Sequence, residues 1–176
     1  MMGKLYSYTY ISLDGVMSSP ETWTSAYWSK AMNEDLTQKL MNCTAMVLGR
    51  NTYNEFAEFW PQQDSDVPFA DLNNQVRKYV VSHTLKNPEW NNSIVMSAED
   101  LSRHKVDGNL HITGSRQLIL SLLDQKLLDE LILMMCPIIL GEGQRLFDGM
   151  HQIGMDLTET IPFPNGVLCV KLNPLV

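Results

Sequence analysis

The sequence predicts an α/β domain whose sheet is mostly parallel and ends in an antiparallel hairpin. Three observations predict it. Short apolar runs of strand length, at residues 45–48, 78–82, 94–96 and 110–112, are separated by stretches whose apolar residues recur every three or four positions. Beyond Pro137 the helical period gives way to two strand-like segments, 157–161 and 167–172, around Pro164-Asn165-Gly166, a strong hairpin turn signal. Finally, 176 residues with 44% hydrophobic and 19% charged content suit one domain, residues 1–176, with a full core and no need of disulfides or metals.

Residues 4–12 alternate Tyr6, Tyr8 and Tyr10 with Leu5, Thr9 and Ile11, the pattern of a strand. Leu13-Asp14-Gly15 then signals a turn, and a loop containing Ser18-Ser19-Pro20 leads to Trp23, Tyr27 and Trp28. These aromatics suit a pocket for a flat ring, because the loop leaves the end of a strand, with an anchor holding the loop to the core as the alternative. Met32, Leu36 and Leu40 mark a helix over residues 29–42. After the run at 45–48, Tyr53, Phe56, Ala57 and Trp60 share a helix face, and a short helix is expected near 69–75. Ser97 is placed to cap a helix with Asp100 at its third position. Leu118, Ile119, Leu122 and Leu123 trace the last helix, ending near Lys126, before the long run at 131–136.

A net charge of −7 argues against a nucleic-acid or membrane-surface binder, so any anion must be held by local cations. No apolar run reaches membrane-spanning length and the N-terminus lacks a signal-peptide pattern, which predicts a soluble, cytoplasmic protein. Cys43, Cys136 and Cys169 are odd in number and widely spaced, and His83, His104, His111 and His151 form no close pair with them. Neither a zinc site nor a disulfide framework is expected.

The candidate site lies at strand ends. Leu48-Gly49-Arg50-Asn51-Thr52-Tyr53 follows a buried-type strand and opens a helix. Gly49 allows close backbone approach, the helix start offers free N–H groups, and Arg50 and Thr52 add charged and neutral donors. Alone, these residues equally suit a surface Arg and a capping Thr. Two further junctions, Ser82-His83-Thr84 and Thr113-Gly114-Ser115-Arg116, end in the same kind of group. Carboxyl ends of parallel strands gather along one edge, where ligands bind, so three phosphate-compatible turns suit an elongated ligand such as a dinucleotide. The three-glycine dinucleotide fingerprint and the triphosphate loop are both absent.

Ile11-Ser12-Leu13-Asp14-Gly15, Leu48 to Tyr53, Phe59-Trp60-Pro61, Lys78 to Ser82, Asp129-Glu130-Leu131, Pro137 and Leu140-Gly141-Glu142-Gly143 through Leu146-Phe147 occur in an order that resembles the dihydrofolate-reductase-like superfamily. Nearly the whole chain is similar to the reductase domain of the bacterial bifunctional riboflavin-biosynthesis deaminase-reductase. The zinc deaminase signature of that bifunctional protein is missing.

The resemblance implies NADPH as cofactor, a small heterocyclic substrate (a ribityl- or ribosylamino-pyrimidine or a pterin-like ring) and a homodimer, for which the apolar tail after Pro137 is also suited. The implied activity is that of 5-amino-6-(5-phosphoribosylamino)uracil reductase or a dihydrofolate-reductase-like enzyme. It places Gly49, Arg50 and Thr52 at the cofactor phosphates, Ser82, His83 and Thr84 at the adenosine 2′-phosphate, and Thr113, Gly114 and Ser115 at the pyrophosphate and nicotinamide ribose. Thr113 stands where the family usually has the first of consecutive glycines, which predicts a constrained turn at that residue. Asp14, Trp23 and Trp28 would border the substrate, with Asp14 as the candidate proton donor or, equally, an ordinary turn residue. A non-catalytic nucleotide-binding protein that keeps the fold is the alternative.

Overall fold

A computed structural model describes residues 2–175. Its centre is an eight-stranded sheet in the order β4-β3-β2-β5-β1-β6-β8-β7. The strands are β1 (Leu5–Ile11), β2 (Cys43–Gly49), β3 (Lys78–Val81), β4 (Ser93–Met96), β5 (Asn109–Thr113), β6 (Glu130–Met135), β7 (Met155–Pro162) and β8 (Leu168–Pro174). The first six strands in sequence pair in parallel. β8 pairs antiparallel with both β6 and β7. The fold is therefore the expected mixed sheet with a C-terminal antiparallel hairpin, dihydrofolate-reductase-like in kind.

The period of two along each strand decides which layer covers it. Leu5 and Ile11 of β1 join a core with Leu118, Ile119, Leu122 and Leu123 of α5 (Arg116–Asp124). Tyr6 and Tyr8, on the other face, pack with Met32 of α1 (Lys30–Met41). Met46, Leu48 and Val80 on that same second face meet Leu40 of α1 and Tyr53 of α2 (Arg50–Phe59), with Trp90. The chain moves outward from β1 to β2 and β3 over one face, then returns through β5 to β6 over the other. That reversal follows from every parallel crossover being right-handed. It also creates the crevice at the carboxyl ends of the central strands.

Two short helices complete the second half of the outward path and the start of the return, α3 (Ala70–Gln75) and α4 (Leu101–His104). The helix expected from Ser97 begins later than its sequence suggests. Ser97 Oγ does accept the Asp100 N–H at 3.3 Å and donates to Asp100 Oδ2 at 2.9 Å, but α4 starts only at Leu101 and lasts four residues. A 3₁₀ turn and Gly108, at φ +136, then swing the chain into β5. A side chain at Gly108 would meet Thr44, with a Cβ only 2.7 Å from Cγ2. Among the described residues no helix is long and apolar enough to cross a membrane. The three cysteines are unpaired thiols.

Lys78 is the outstanding buried charge. It is 0% exposed, donates to the carbonyls of Asn74 at 2.8 Å and Asn91 at 3.1 Å, and lies 4.1 Å from the Trp90 ring centre. Burial pushes its ammonium down to about 8 from 10.5. Between those two values the unfolded chain binds the proton more tightly than the folded one, so stability rises with pH there. Urea unfolding of the native protein and Lys78→Met is expected to show the native protein gaining on the variant from pH 8 to pH 10.5.

Candidate functional site

The three strand ends singled out by sequence come together because β3, β2 and β5 are adjacent in the sheet. Gly49, the N-cap of α2, has an extended backbone, φ −75 and ψ 163, that any residue can adopt. Space is what requires glycine there. A Cβ on Gly49 would stand 2.0 Å from Ser115 Oγ and 3.1 Å from Ser115 Cβ. The turn after β5 returns the contact: Gly114, at φ +62, would place a Cβ 3.1 Å from Thr52 Cγ2. Arg50 Nη1 donates to Thr84 Oγ1 at 2.5 Å, which joins the turns of β2 and β3. Ser82 Oγ accepts the N–H groups of Thr84 and Leu85 at 3.2 and 3.0 Å and so shapes that third turn. His83 projects as an exposed residue beside Thr84.

This crown is chemically suited to anions. Neither α2 nor α5 has a side-chain cap at its first turn, so the leading N–H groups remain available as donors. Arg50 is exposed, and the turn residues 49–52, 82–84 and 113–116 contain no Asp or Glu in a chain of net charge −7. Helix starts, one guanidinium and the hydroxyls of Thr52, Ser82 and Thr84 are the donors that bridging phosphates need. Arg116 does different work: its Nε donates to the Arg145 carbonyl at 2.7 Å and its Nη2 to that of Asp148, bracing the segment after β6.

The constraint expected at Thr113 falls one step later. Thr113 is the last residue of β5, extended and paired with Tyr8 of β1, so a β-branched side chain costs nothing there. The positive φ values belong to Gly114 and Ser115, at +62 and +58. Ser115 is thus the non-glycine residue held in the left-handed region, a conformation that costs roughly 1–3 kcal/mol and persists where its surroundings enforce it.

Asp14 has a structural task. Its Oδ1 accepts from Ser12 Oγ at 2.7 Å and from the Leu140 N–H at 3.0 Å, and its Oδ2 from the Gly141 N–H at 2.9 Å. Arg145 adds Nε to the Asp14 carbonyl at 2.9 Å and Nη2 to the carboxylate at 3.5 Å. Donation by Ser12, then by Leu140 and Gly141, holds the carboxyl down at about 2. A carboxylate so stabilised is a poor proton donor near neutrality, and the turn-residue reading of Asp14 matches its contacts. Leu140 and Gly141 belong to the Leu140-Gly141-Glu142-Gly143 stretch that the resemblance singles out. Their partnership with a loop more than a hundred residues earlier had no local signal.

The two tryptophans part company. Trp23 is buried, packed with Tyr8, Met32 and Met134, and its indole N–H donates to the Ser18 carbonyl at 3.0 Å. It anchors the loop to the core and offers no open ring face, contrary to its expected place at a substrate. Trp28 is 39% exposed and lies 5.4 Å from the Tyr10 ring and 6.3 Å from Phe69. Tyr10 and Phe69 were missed in sequence, Tyr10 because its alternation marks only a strand face and Phe69 because it precedes a six-residue helix. Burial raises the Tyr10 phenol well above its ordinary range, with the neighbouring Tyr8 hydroxyl partly opposing the rise.

Sheet and strand order together define the class: a dihydrofolate-reductase-like fold whose strand-end edge is rich in hydrogen-bond donors. The chain belongs to the family described as the RibD C-terminal domain, which matches residues 4–169. Among solved structures it is similar to a protein of Shewanella sp. PV-4 provisionally assigned to riboflavin biosynthesis, with a TM-score of 0.74 and 17% identity over 98% of this chain and 99% of that one. It is also similar to the Thermotoga maritima diaminohydroxyphosphoribosylaminopyrimidine deaminase/5-amino-6-(5-phosphoribosylamino)uracil reductase, at a TM-score of 0.64 and 15% identity. The alignment covers 99% of this chain but 57% of that protein. Dihydrofolate reductase from Enterococcus faecalis, complexed with NADP(H) and RAB-propyl, matches at a TM-score of 0.65 and 14% identity over 99% and 98% of the two chains. At these identities the structural likenesses carry the fold.

Two outcomes are expected. Gly49→Ala should lower stability by about 1–3 kcal/mol through overpacking against Ser115, and Ser115→Gly should restore part of it in the double variant, a coupling that urea unfolding would measure. Because the folded carboxyl of Asp14 sits near 2 and the ordinary one at 3.8, its contribution is present above 3.8 and lost as pH falls through about 2. Hydrogen exchange corrected for intrinsic rates should show the Leu140 and Gly141 amides protected at pH 4 and released towards pH 2, with Asp14→Asn releasing them at pH 7.

Proposed function

We propose that this protein is an NADPH-dependent reductase of a small heterocyclic substrate. The observation that carries the reading is the convergence of the β2, β3 and β5 turns, locked by Gly49 against Ser115, Gly114 against Thr52 and Arg50 against Thr84. Arg50, Thr52 and the start of α2 would hold one cofactor phosphate, and Gly114 with the start of α5 the pyrophosphate. Ser82, His83 and Thr84 would face the 2′-phosphate that separates NADPH from NADH. The bound cofactor would supply a hydride to an electrophilic carbon of the substrate. The chain's own part is to orient the two molecules.

Support for the substrate class comes from Trp28. Its half-open ring, beside Tyr10 on β1, stands next to the strand that neighbours β5, so a flat ring stacked there would lie beside the crown. A pyrimidine with a phosphoribosylamino arm, the substrate type named for the Thermotoga maritima relative, has such a ring. With Asp14 committed to the loop, the proton that accompanies the hydride would come from solvent. We place the protein in the cytoplasm, where NADPH is available.

Titration by thermal shift or fluorescence should show NADPH binding more tightly than NADH. Arg50→Ala should weaken NADPH by about 10- to 100-fold, the loss of a charge-assisted hydrogen-bond set. An unchanged affinity would remove Arg50 from the site, and no binding of either nucleotide at millimolar concentration would sink the reading. NADPH absorbance followed over a panel of aminopyrimidines and pterins separates a reductase from a protein that only binds the nucleotide.

A further inference from the structure

A buried ammonium is a costly way to fill a core, and a methionine would occupy the place of Lys78 without that cost. What the ammonium adds is a link between chain segments. It donates to the carbonyls of Asn74 at 2.8 Å and Asn91 at 3.1 Å, and it lies 4.1 Å from the Trp90 ring centre. Asn74 stands in the last turn of α3, where carbonyls lack helical partners. Its side chain extends the link: Oδ1 accepts the Trp90 indole N–H at 2.9 Å, and Nδ2 donates to the Trp60 carbonyl at 2.9 Å. Trp90 in turn gives its backbone N–H to Tyr53 Oη at 3.0 Å. Lys78, Asn74 and Trp90 thus form one clasp. It grips α2 at Tyr53 in the first turn and at Trp60, the residue that ends the helix.

Elsewhere α2 and the loop of residues 82–92 are not tightly packed. A cavity of about 530 Å³ lies between them, bordered by Tyr53, Ala57, Leu85 and Trp90. Leu85 directly follows Thr84, whose hydroxyl accepts from Arg50. Across a gap of that size dispersion contacts are lost, so packing alone does not fix the loop against the helix. Hydrogen bonds at the two ends of the loop do so instead. At one end Ser82 Oγ holds the Thr84 and Leu85 amides, and at the other stands the clasp. The bond from Arg50 to Thr84 is itself exposed and competes with water.

We propose that Lys78 is a positioning residue for nucleotide choice. Its clasp sets the separation of α2 from the 82–92 loop, and so keeps Arg50 and Thr84 spaced for a 2′-phosphate. This role rests on the NADPH reading given above. NADH lacks the 2′-phosphate, so its affinity is nearly indifferent to the clasp. The path to the crown is contiguous: Lys78 touches Trp90, Trp90 bonds Tyr53, and Tyr53 lies three residues along α2 from Arg50.

Dissociation constants of NADPH and NADH for the native protein, Lys78→Met and Tyr53→Phe test this, together with hydrogen exchange. The native protein should favour NADPH. Lys78→Met should lower that preference about tenfold, almost entirely through NADPH. Tyr53→Phe keeps the core filled and removes only the acceptor of the Trp90 N–H, and should lower it about threefold. Without nucleotide, the Leu85 and Trp90 amides should exchange faster in both variants. Leu131→Ala, a cavity-creating change in the opposite core, should lower the melting temperature and leave the preference intact. A preference kept in both clasp variants, or lost equally in Leu131→Ala, would overturn the clasp alone. A native protein that binds neither nucleotide would overturn the NADPH reading and the role of Lys78 with it.

Discussion

The close approach of Gly49 to Ser115 is the constraint from which the rest of the candidate site follows. It brings the end of β2 within van der Waals reach of the turn after β5, and no side chain fits between them. The same approach forces Ser115 into the left-handed region and sets Gly114 against Thr52. Two helix starts are thereby placed side by side with their leading N–H groups uncapped. A helix N-terminus attracts anions over about one turn, so two adjacent ones reinforce each other only if the backbones come this close. The crown is a property of the backbone, and Arg50 completes it by reaching across to Thr84.

That origin explains what could be read from the sequence. Runs of strand length, the helix faces at Met32-Leu36-Leu40 and Leu118 to Leu123, and the hairpin at Pro164-Asn165-Gly166 are local patterns, and each became the element it predicted. The three strand-end turns were legible for the same reason, since small, hydroxyl-bearing and cationic residues cluster within four positions at each strand end. Thr113 was misjudged because only the observed dihedrals show that the turn bends one residue later. The start of α4 slipped because Ser97 makes the predicted hydrogen bond in a turn that precedes the helix.

What stayed hidden was long-range. Asp14 looked like a possible acid because its sequence neighbours are a turn, whereas its function in the fold is decided by Leu140, Gly141 and Arg145. Trp23 and Trp28 are five residues apart and indistinguishable in composition, yet one is fixed inward by Ser18 and the other lies open beside Tyr10. In each case the deciding partner comes from a different part of the chain. No periodicity or turn chemistry encodes such a meeting.

The two halves of the candidate site therefore obey different rules. On the crown side, the available donors are backbone N–H groups at two helix starts beside glycine turns, so substitutions there act through geometry. On the Trp28 side, the surface is made of side chains, Tyr10, Trp28 and Phe69, whose replacement would alter the shape offered to a ring without disturbing the turns. The loop clamp from Asp14 to Gly141 and Arg145 stands at the end of β1, the strand that carries Tyr10. It holds the loop leading to Trp28 against the segment after β6, at one anchored end and at Trp23 in its middle. Rigid support on both sides of an exposed aromatic is what a stacked ring needs if it is to meet a cofactor in one orientation. The shape of the aromatic side thus resides in a few exchangeable side chains, on a frame whose other half is fixed by the meeting of Gly49 and Ser115.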